Sequence, residues 1–282
     1  YDIMPSLVGS EMCIRDRVQL LDAETGEVLE DVNPLTDAGC VSYSNDTPTV
    51  SAHGGIPAGT TFDNVPVKKV LDDILYPYTK PTISFAANPG GGIKEKGAVL
   101  ENVALTATIT KKSEDIKKVE FLNGSAVLHT ISAPKAGGGK ETYTWSGPLK
   151  VDATLKARVT DAKGSAVDSN SIGYTFVYPI YIGALDAAAA NPTAEQIKAL
   201  EKRVVTKSNQ QYTYTITDKR MCIACPPGMT IRQVLDPNGF DSTSAFEIKK
   251  VSIMGLDGTA QEYTVLVGAP TSQSNYKMSF NI

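Results

Sequence analysis

The chain has 282 residues, 41% of them hydrophobic and 21% charged, with a formal net charge of −4 at pH 7. That apolar content supports packed cores. The negative balance argues against a nucleic-acid-binding surface, which needs clustered Lys and Arg, and no apolar run approaches the ~20 residues of a membrane helix.

In chain order, residues 7–17, "LVGSEMCIRDR", show no period of 2 or 3.6. They fail as a secretory signal: there is no basic start, the run "IMPSLVG" is short and broken by Pro5, and no small-residue cleavage site follows. The stretch resembles a translated sequencing-library adapter. Residues 1–17 are therefore expected to be an assembly artefact outside the fold, with the genuine chain starting near Val18. About 265 residues then remain, enough for two or three domains.

Residues 18–79 read as an N-terminal segment. "VQLLDAETGEVLEDVN" predicts a hairpin whose turn "AETG" places Gly26 at positive φ. A Gly-, Ser-, Thr- and Pro-rich stretch follows and should be extended. Val67, Val70, Leu71, Ile74 and Leu75 then recur at i, i+3, i+4, i+7 and i+8, predicting an amphipathic helix over 66–76 that Pro66 opens and Pro77 ends.

Residues 80–178 contain "PTISFAA", "VALTATIT", "KKVEFLN", "AVLHTIS", "ETYTWS", "ATLKARVTD" and "IGYTFVY", alternating runs separated by Gly-rich turns. They predict an immunoglobulin-like β-sandwich without a disulfide. Leu105, Ala107, Ile109, Val119, Phe121, Leu155, Ala157 and Val159 should point inward, with Trp145 as the large core residue. Residues 179–282 predict a C-terminal β-rich α+β domain. Its helix in "NPTAEQIKALEKRV" opens on a Thr193–Gln196 capping box and turns Ile197, Leu200 and Val204 to one side. Strands follow in "QQYTYTITD", "RMCIACP", "FEIKKVSIMG", "QEYTVLVG" and "YKMSFNI", with a short helix or turn in "MTIRQVLDPNGF". The expected class is mainly β.

Few residues suggest chemistry. Setting aside Cys13, the cysteines are Cys40, Cys222 and Cys225, too few for a disulfide framework. Cys222 and Cys225 are spaced like half of a zinc site, but no second pair exists. On a strand, i and i+3 point to opposite faces, so both read as packing residues. His129 reads as an outward strand residue, and His53 as a loop residue with no visible partner. Asp72–Asp73, Glu114–Asp115, Asp236 and Asp241 read as solvated, since a glycosidase needs two carboxylates converging in one cleft. The Gly-rich loops lack phosphate-loop spacing. Tyr212 and Tyr214 share one strand face between polar neighbours and are the candidate ligand-contact residues, against the competing role of core packing. No catalytic, cofactor-binding or metal-binding residue is assigned.

Several pieces in order resemble virion structural proteins of tail-fibre or tail-appendage type from bacteriophages and prophages of gut bacteria. They are "GGIPAGTTFDNVPVKKVLDDILYPYTKP", "KKVEFLNGSAVLHT…ARVTDAKGSA", "TFVYPIYIG", "EQIKAL", "RMCIACPPGMTIRQVLDPNGFD" and "EYTVLVG". "ACPPGM" departs from the aromatic-containing "AYP" usual there. The resemblance implies a modular, extracellular, non-enzymatic piece, homo-oligomeric and often trimeric, whose partners are other virion proteins and a host-surface glycan or protein. It implies no cofactor. Two alternatives stand beside it. One is a secreted or surface bacterial protein whose Ig-like spacer carries a carbohydrate-binding domain. The other is a polysaccharide depolymerase, which requires a carboxylate cleft.

Overall fold

The computed structural model describes residues 18–21, 28–32, 42–206, 211–271 and 276–279, with side chains described over 42–206 and 214–271. The expectations for residues 1–17 and for the turn "AETG" lie outside the described residues. The protein is mainly β. The chain divides into two compact units, Tyr1–Thr79 and Lys80–Ile282.

In the first unit, β1 (Val18–Leu21) pairs antiparallel with β2 (Val28–Val32), as the hairpin reading requires. Strand β3 (Ser42–Asn45) pairs antiparallel with β4 (Phe62–Pro66), and Tyr43 sits edge-on to Phe62 with centroids 5.2 Å apart. The helix α1 (Val67–Leu75) follows at once, with Pro66 as its N-cap and Tyr76 as its C-cap. Lys68–Asp72 (2.5 Å) and Lys69–Asp73 (2.6 Å) close i,i+4 pairs along its polar side. Its apolar stripe is not buried: Leu71, Ile74 and Leu75 are exposed.

The second unit begins with the sandwich. Its strands are β5 (Thr82–Asn88), β6 (Gly92–Glu95), β7 (Val103–Thr110), β8 (Ile116–Asn123), β9 (Ala126–Ile131), β10 (Gly138–Trp145), β11 (Ala153–Asp161), β12 (Ala166–Asp168) and β13 (Ile172–Val177). One sheet has the order β10-β7-β5. The facing sheet runs β6-β13-β11-β8-β9, with β12 also on β11. This two-sheet arrangement is that of an immunoglobulin-like sandwich. All pairs are antiparallel except β6 with β13. Alternation puts Val103, Leu105, Ala107 and Ile109 of β7 opposite Leu155, Ala157 and Val159 of β11, and all eight residues expected to point inward are buried.

Trp145 departs from expectation. It is only half-buried, because it ends β10, an edge strand, opposite Val103, and its indole lies against Gly147 at the end of the core. Phe121, Tyr174 and Leu105 fill the centre instead. Two strands, β6 and β12, have no counterpart among the runs read from sequence. Gly91 explains the first: a Cβ there would meet the Gly173 carbonyl and lie 2.6 Å from Ile172 Cγ2, so only glycine lets the chain come up against β13.

Beyond the sandwich come β14 (Ile180–Asp186), α2 (Ala194–Lys198), β15 (Glu201–Arg203), β16 (Gln211–Tyr214), β17 (Lys219–Cys225), β18 (Phe246–Met254), β19 (Ala260–Thr271) and β20 (Tyr276–Ser279). A five-stranded antiparallel sheet has the order β15-β14-β17-β19-β18, while β16 and β20 form a separate ribbon. The sheet is covered on both faces. Ile216, Val234, Met229 and Ile231 pack on one, and Ile197 and Leu200 with Tyr178 on the other. The capping box is present, with Thr193 Oγ1 accepting from Gln196 N–H (3.2 Å) and Gln196 Oε1 accepting from Thr193 N–H (2.8 Å). The helix is shorter than its periodicity suggests. Residues 201–203 leave it to pair with Ile180–Ile182, because an edge of the sheet stands open beside them. No helix forms in 229–240. That stretch is a loop with a Leu235–Asp241 bridge, and the 3-10 turn lies later, at Thr243–Ala245.

Candidate functional site

The two tyrosines singled out from sequence lie on β16, where Tyr212 pairs with Met278 and Tyr214 with Tyr276. Tyr214 is half-buried against the core that includes Ile216 and Val234, and its hydroxyl donates to Glu201 Oε2 at 2.9 Å. Its ring therefore packs the domain. The side chain of Tyr212 lies outside the described residues.

Cys222 and Cys225 point to opposite faces of β17, as the strand geometry predicted: Cys222 packs with Ile197 and Tyr263, and Cys225 with Ile180 and Val234. Burial pushes both thiols up to about 12, so neither is a thiolate at neutral pH. His129 is exposed and stacks on Tyr143 of the facing sheet, with centroids 4.3 Å apart and planes 6° apart. His53 contacts Ser51 Oγ through Nε2 at 3.0 Å.

The carboxylates do not gather. Asp72 and Asp73 pair with lysines of their own helix, and Asp115 pairs with Lys111. Asp236 Oδ1 accepts from the Asn238 and Phe240 N–H groups at 2.9 and 2.8 Å. Asp241 Oδ1 accepts from Thr243 Oγ1 (2.6 Å) and N–H (2.9 Å), and these bonds hold its carboxyl below the usual range. Among the described residues, no group of three His, Cys, Asp or Glu side chains is placed to hold a metal. The Asp236 bonds do build something: a tight hairpin, 235–241, that presents Phe240 with 71% of its surface exposed. Only the turn signal in "DPNG" hinted at it.

The seam between sandwich and C-terminal domain was not legible from sequence. The turn joining β18 and β19, residues 255–259, nests against Gly97, which has φ 95°. A Cβ on Gly97 would collide with the Leu256 and Asp257 backbone. Tyr178, in the linker, donates its hydroxyl to Asp257 Oδ2 (2.7 Å) and accepts from Gln261 Nε2 (3.2 Å). The bond to Asp257 raises the tyrosine and lowers the aspartate, each toward the form that keeps it. Tyr263, buried, donates to the Pro179 carbonyl (3.0 Å), and Lys202 Nζ donates to Glu95 Oε2 (2.7 Å). A cavity of about 140 Å³ beside them is lined by Glu95, Tyr181, Lys198, Lys202, Met254 and Leu256. Together these contacts tie the sandwich and the linker to the C-terminal sheet.

Comparison with protein-family models, with curated proteins and with solved structures gives no match. Among the described residues, no helix is long and apolar enough to cross a membrane.

Proposed function

We propose that this chain is a non-enzymatic structural protein of a phage virion. It serves as a component of a tail fibre or appendage, carried outside the cell on the particle and acting as a homo-oligomer. Its partners are neighbouring virion proteins and a glycan or protein on the host surface. The observation that carries this reading is the seam. Close backbone packing at Gly97 and side-chain bonds from Tyr178, Tyr263 and Lys202 fix one β module against the next, which suits a part that bears load and holds a contact surface in a set direction. The resemblance of the ordered sequence pieces to tail-appendage proteins supports it further. The C-terminal domain, 179–282, makes the contact, and Phe240 offers an exposed aromatic face for it.

Immunogold microscopy with antibodies against the whole chain tests the assignment, using cultures of gut bacteria that carry the gene. Gold on phage tails is the expected result. Gold on bacterial envelopes and none on particles overturns it in favour of a secreted or surface spacer protein. Release of reducing sugar from host capsule or cell wall by the purified chain overturns the non-enzymatic part.

A further inference from the structure

Strand β18 is one edge of the five-stranded sheet and, among the described residues, pairs only with β19. The hairpin fixes which of its backbone groups are used. Gly255 N–H donates to the Thr259 carbonyl at 3.0 Å, so that pair is hydrogen-bonded, and antiparallel alternation makes 253–261, 251–263, 249–265 and 247–267 the bonded pairs. The N–H and C=O groups of the intervening residues, Ile248, Lys250 and Ser252, point away from the sheet. The Met254 carbonyl, on the same parity, accepts from Lys198 Nζ at 3.3 Å, which closes one end of the edge. At the other end, the Phe246 N–H is taken by the Thr243 carbonyl. Between these ends, no other described residue bonds the outward groups. Ile248 is 69% exposed on this edge. Glu247 and Lys249 lie on the opposite face of the strand, 2.9 Å apart, with the glutamate side chain 72% exposed.

We propose that β18 pairs antiparallel with β18 of a second copy of this chain, about a two-fold axis through Ile248, joining the two sheets into one. The charges select that register. With Ile248 opposite itself, it exchanges both backbone bonds with its own copy, and Lys250 N–H donates to the Phe246 carbonyl of the second copy. Glu247 then faces Lys249 of the second copy in a non-bonded pair, where cross-strand side chains come closest, and does so twice by symmetry. A register centred on Lys250 sets two lysines against each other. One centred on Ser252 needs the Met254 carbonyl, which is already taken. The exposed Ile248 side chains meet at the axis. This inference does not depend on the virion reading, since it holds or fails whatever the chain's biological setting.

Sedimentation equilibrium of the whole chain over a concentration series tests it. The wild type is expected to form dimers that weaken with salt. The substitution E247K makes each of the two symmetric contacts a lysine facing a lysine, and K249E makes each a glutamate facing a glutamate. Either should weaken self-association about tenfold or more, from two like-charge contacts replacing two attractive ones. An equimolar mixture of E247K and K249E should regain dimers, because each mixed pair then joins lysines on one strand and glutamates on the other. The double variant E247K/K249E should regain them too, with the opposite charges simply exchanged across the axis. Unchanged circular dichroism of the single variants separates lost pairing from lost folding. A wild type that stays monomeric at millimolar concentration overturns the proposal. So do dimers indifferent to E247K, and so does a mixture that fails to associate.

Discussion

Replacing Phe121 by alanine is the sharpest test of the sandwich core. The ring is fully buried, 6.4 Å from the Phe85 ring and 5.9 Å from that of Tyr143. Burying such a side chain contributes about 1.5–3 kcal/mol in transfer terms. The cavity left between two sheets that cannot collapse brings the loss to about 3–5 kcal/mol. In a domain of this size each kcal/mol lowers the midpoint by roughly 4–8 °C, so a fall of more than 10 °C is expected. Urea unfolding is the assay, followed by the fluorescence of Trp145. It is the sole tryptophan, so its signal reports on the sandwich directly. The midpoint should fall with the slope unchanged. Trp145→Ala, followed by circular dichroism, is the control. Its half-buried ring should cost clearly less than Phe121. A loss below about 1 kcal/mol for Phe121→Ala, or equal losses for the two, refutes the packing described.

Gly97→Val should strain a left-handed backbone position by about 1–3 kcal/mol and push a side chain into the 255–259 turn. Its expected signature is a broader inter-module distance distribution by small-angle scattering and faster proteolysis at 178–180. In a Cys13→Ser/Cys40→Ser background, Cys222 and Cys225 should resist a thiol reagent until the chain is unfolded by urea. Their pH effect has a definite sign. The ordinary value is 9.0 and the folded value about 12 for each, so above pH 9 the unfolded chain gives up protons that the folded one keeps. Stability should therefore fall as pH rises from 9 toward 12, and Cys222→Ala should shrink that slope. Thr193→Ala removes the Oγ1 acceptor of the Gln196 N–H at the start of α2, leaving the Thr193 N–H bond to Gln196 Oε1 in place, and should cost about 1 kcal/mol in chemical denaturation.

What could be read from sequence follows from how each element is covered. The strands of the sandwich bury one face and expose the other, and that asymmetry is written as alternation in "VALTATIT" and "ATLKARVTD". Strand β14, "IYIGALD", is covered on both faces, so its apolar residues run together and carry no period to recognise. Strands β6 and β15 are short and held by what lies beside them, β13 and β14, which local propensity does not encode. The alternation that put Tyr214 among the candidate contact residues, with core packing as the competing role, does not encode what covers its face. Contact with the Ile216 and Val234 core depends on residues distant in sequence. The same is true of the seam, where Gly97 and Asp257 meet across most of the unit.

The parallel pairing of β6 with β13 has a mechanical consequence. The chain enters the sandwich through β5 and β6 and leaves it at Val177, the end of β13, directly into the linker. Once β5 has been drawn from β7, tension along the chain pulls β6 back toward its start and β13 forward past its end. Because the two run the same way, these pulls slide one strand along the other, and the bonds over residues 92–95 and 174–177 are loaded at once instead of one after another. A pair of antiparallel terminal strands would open from one end like a zip. Here separation requires the bonds to yield together, so rupture is governed by the unfolding rate under load rather than by equilibrium stability.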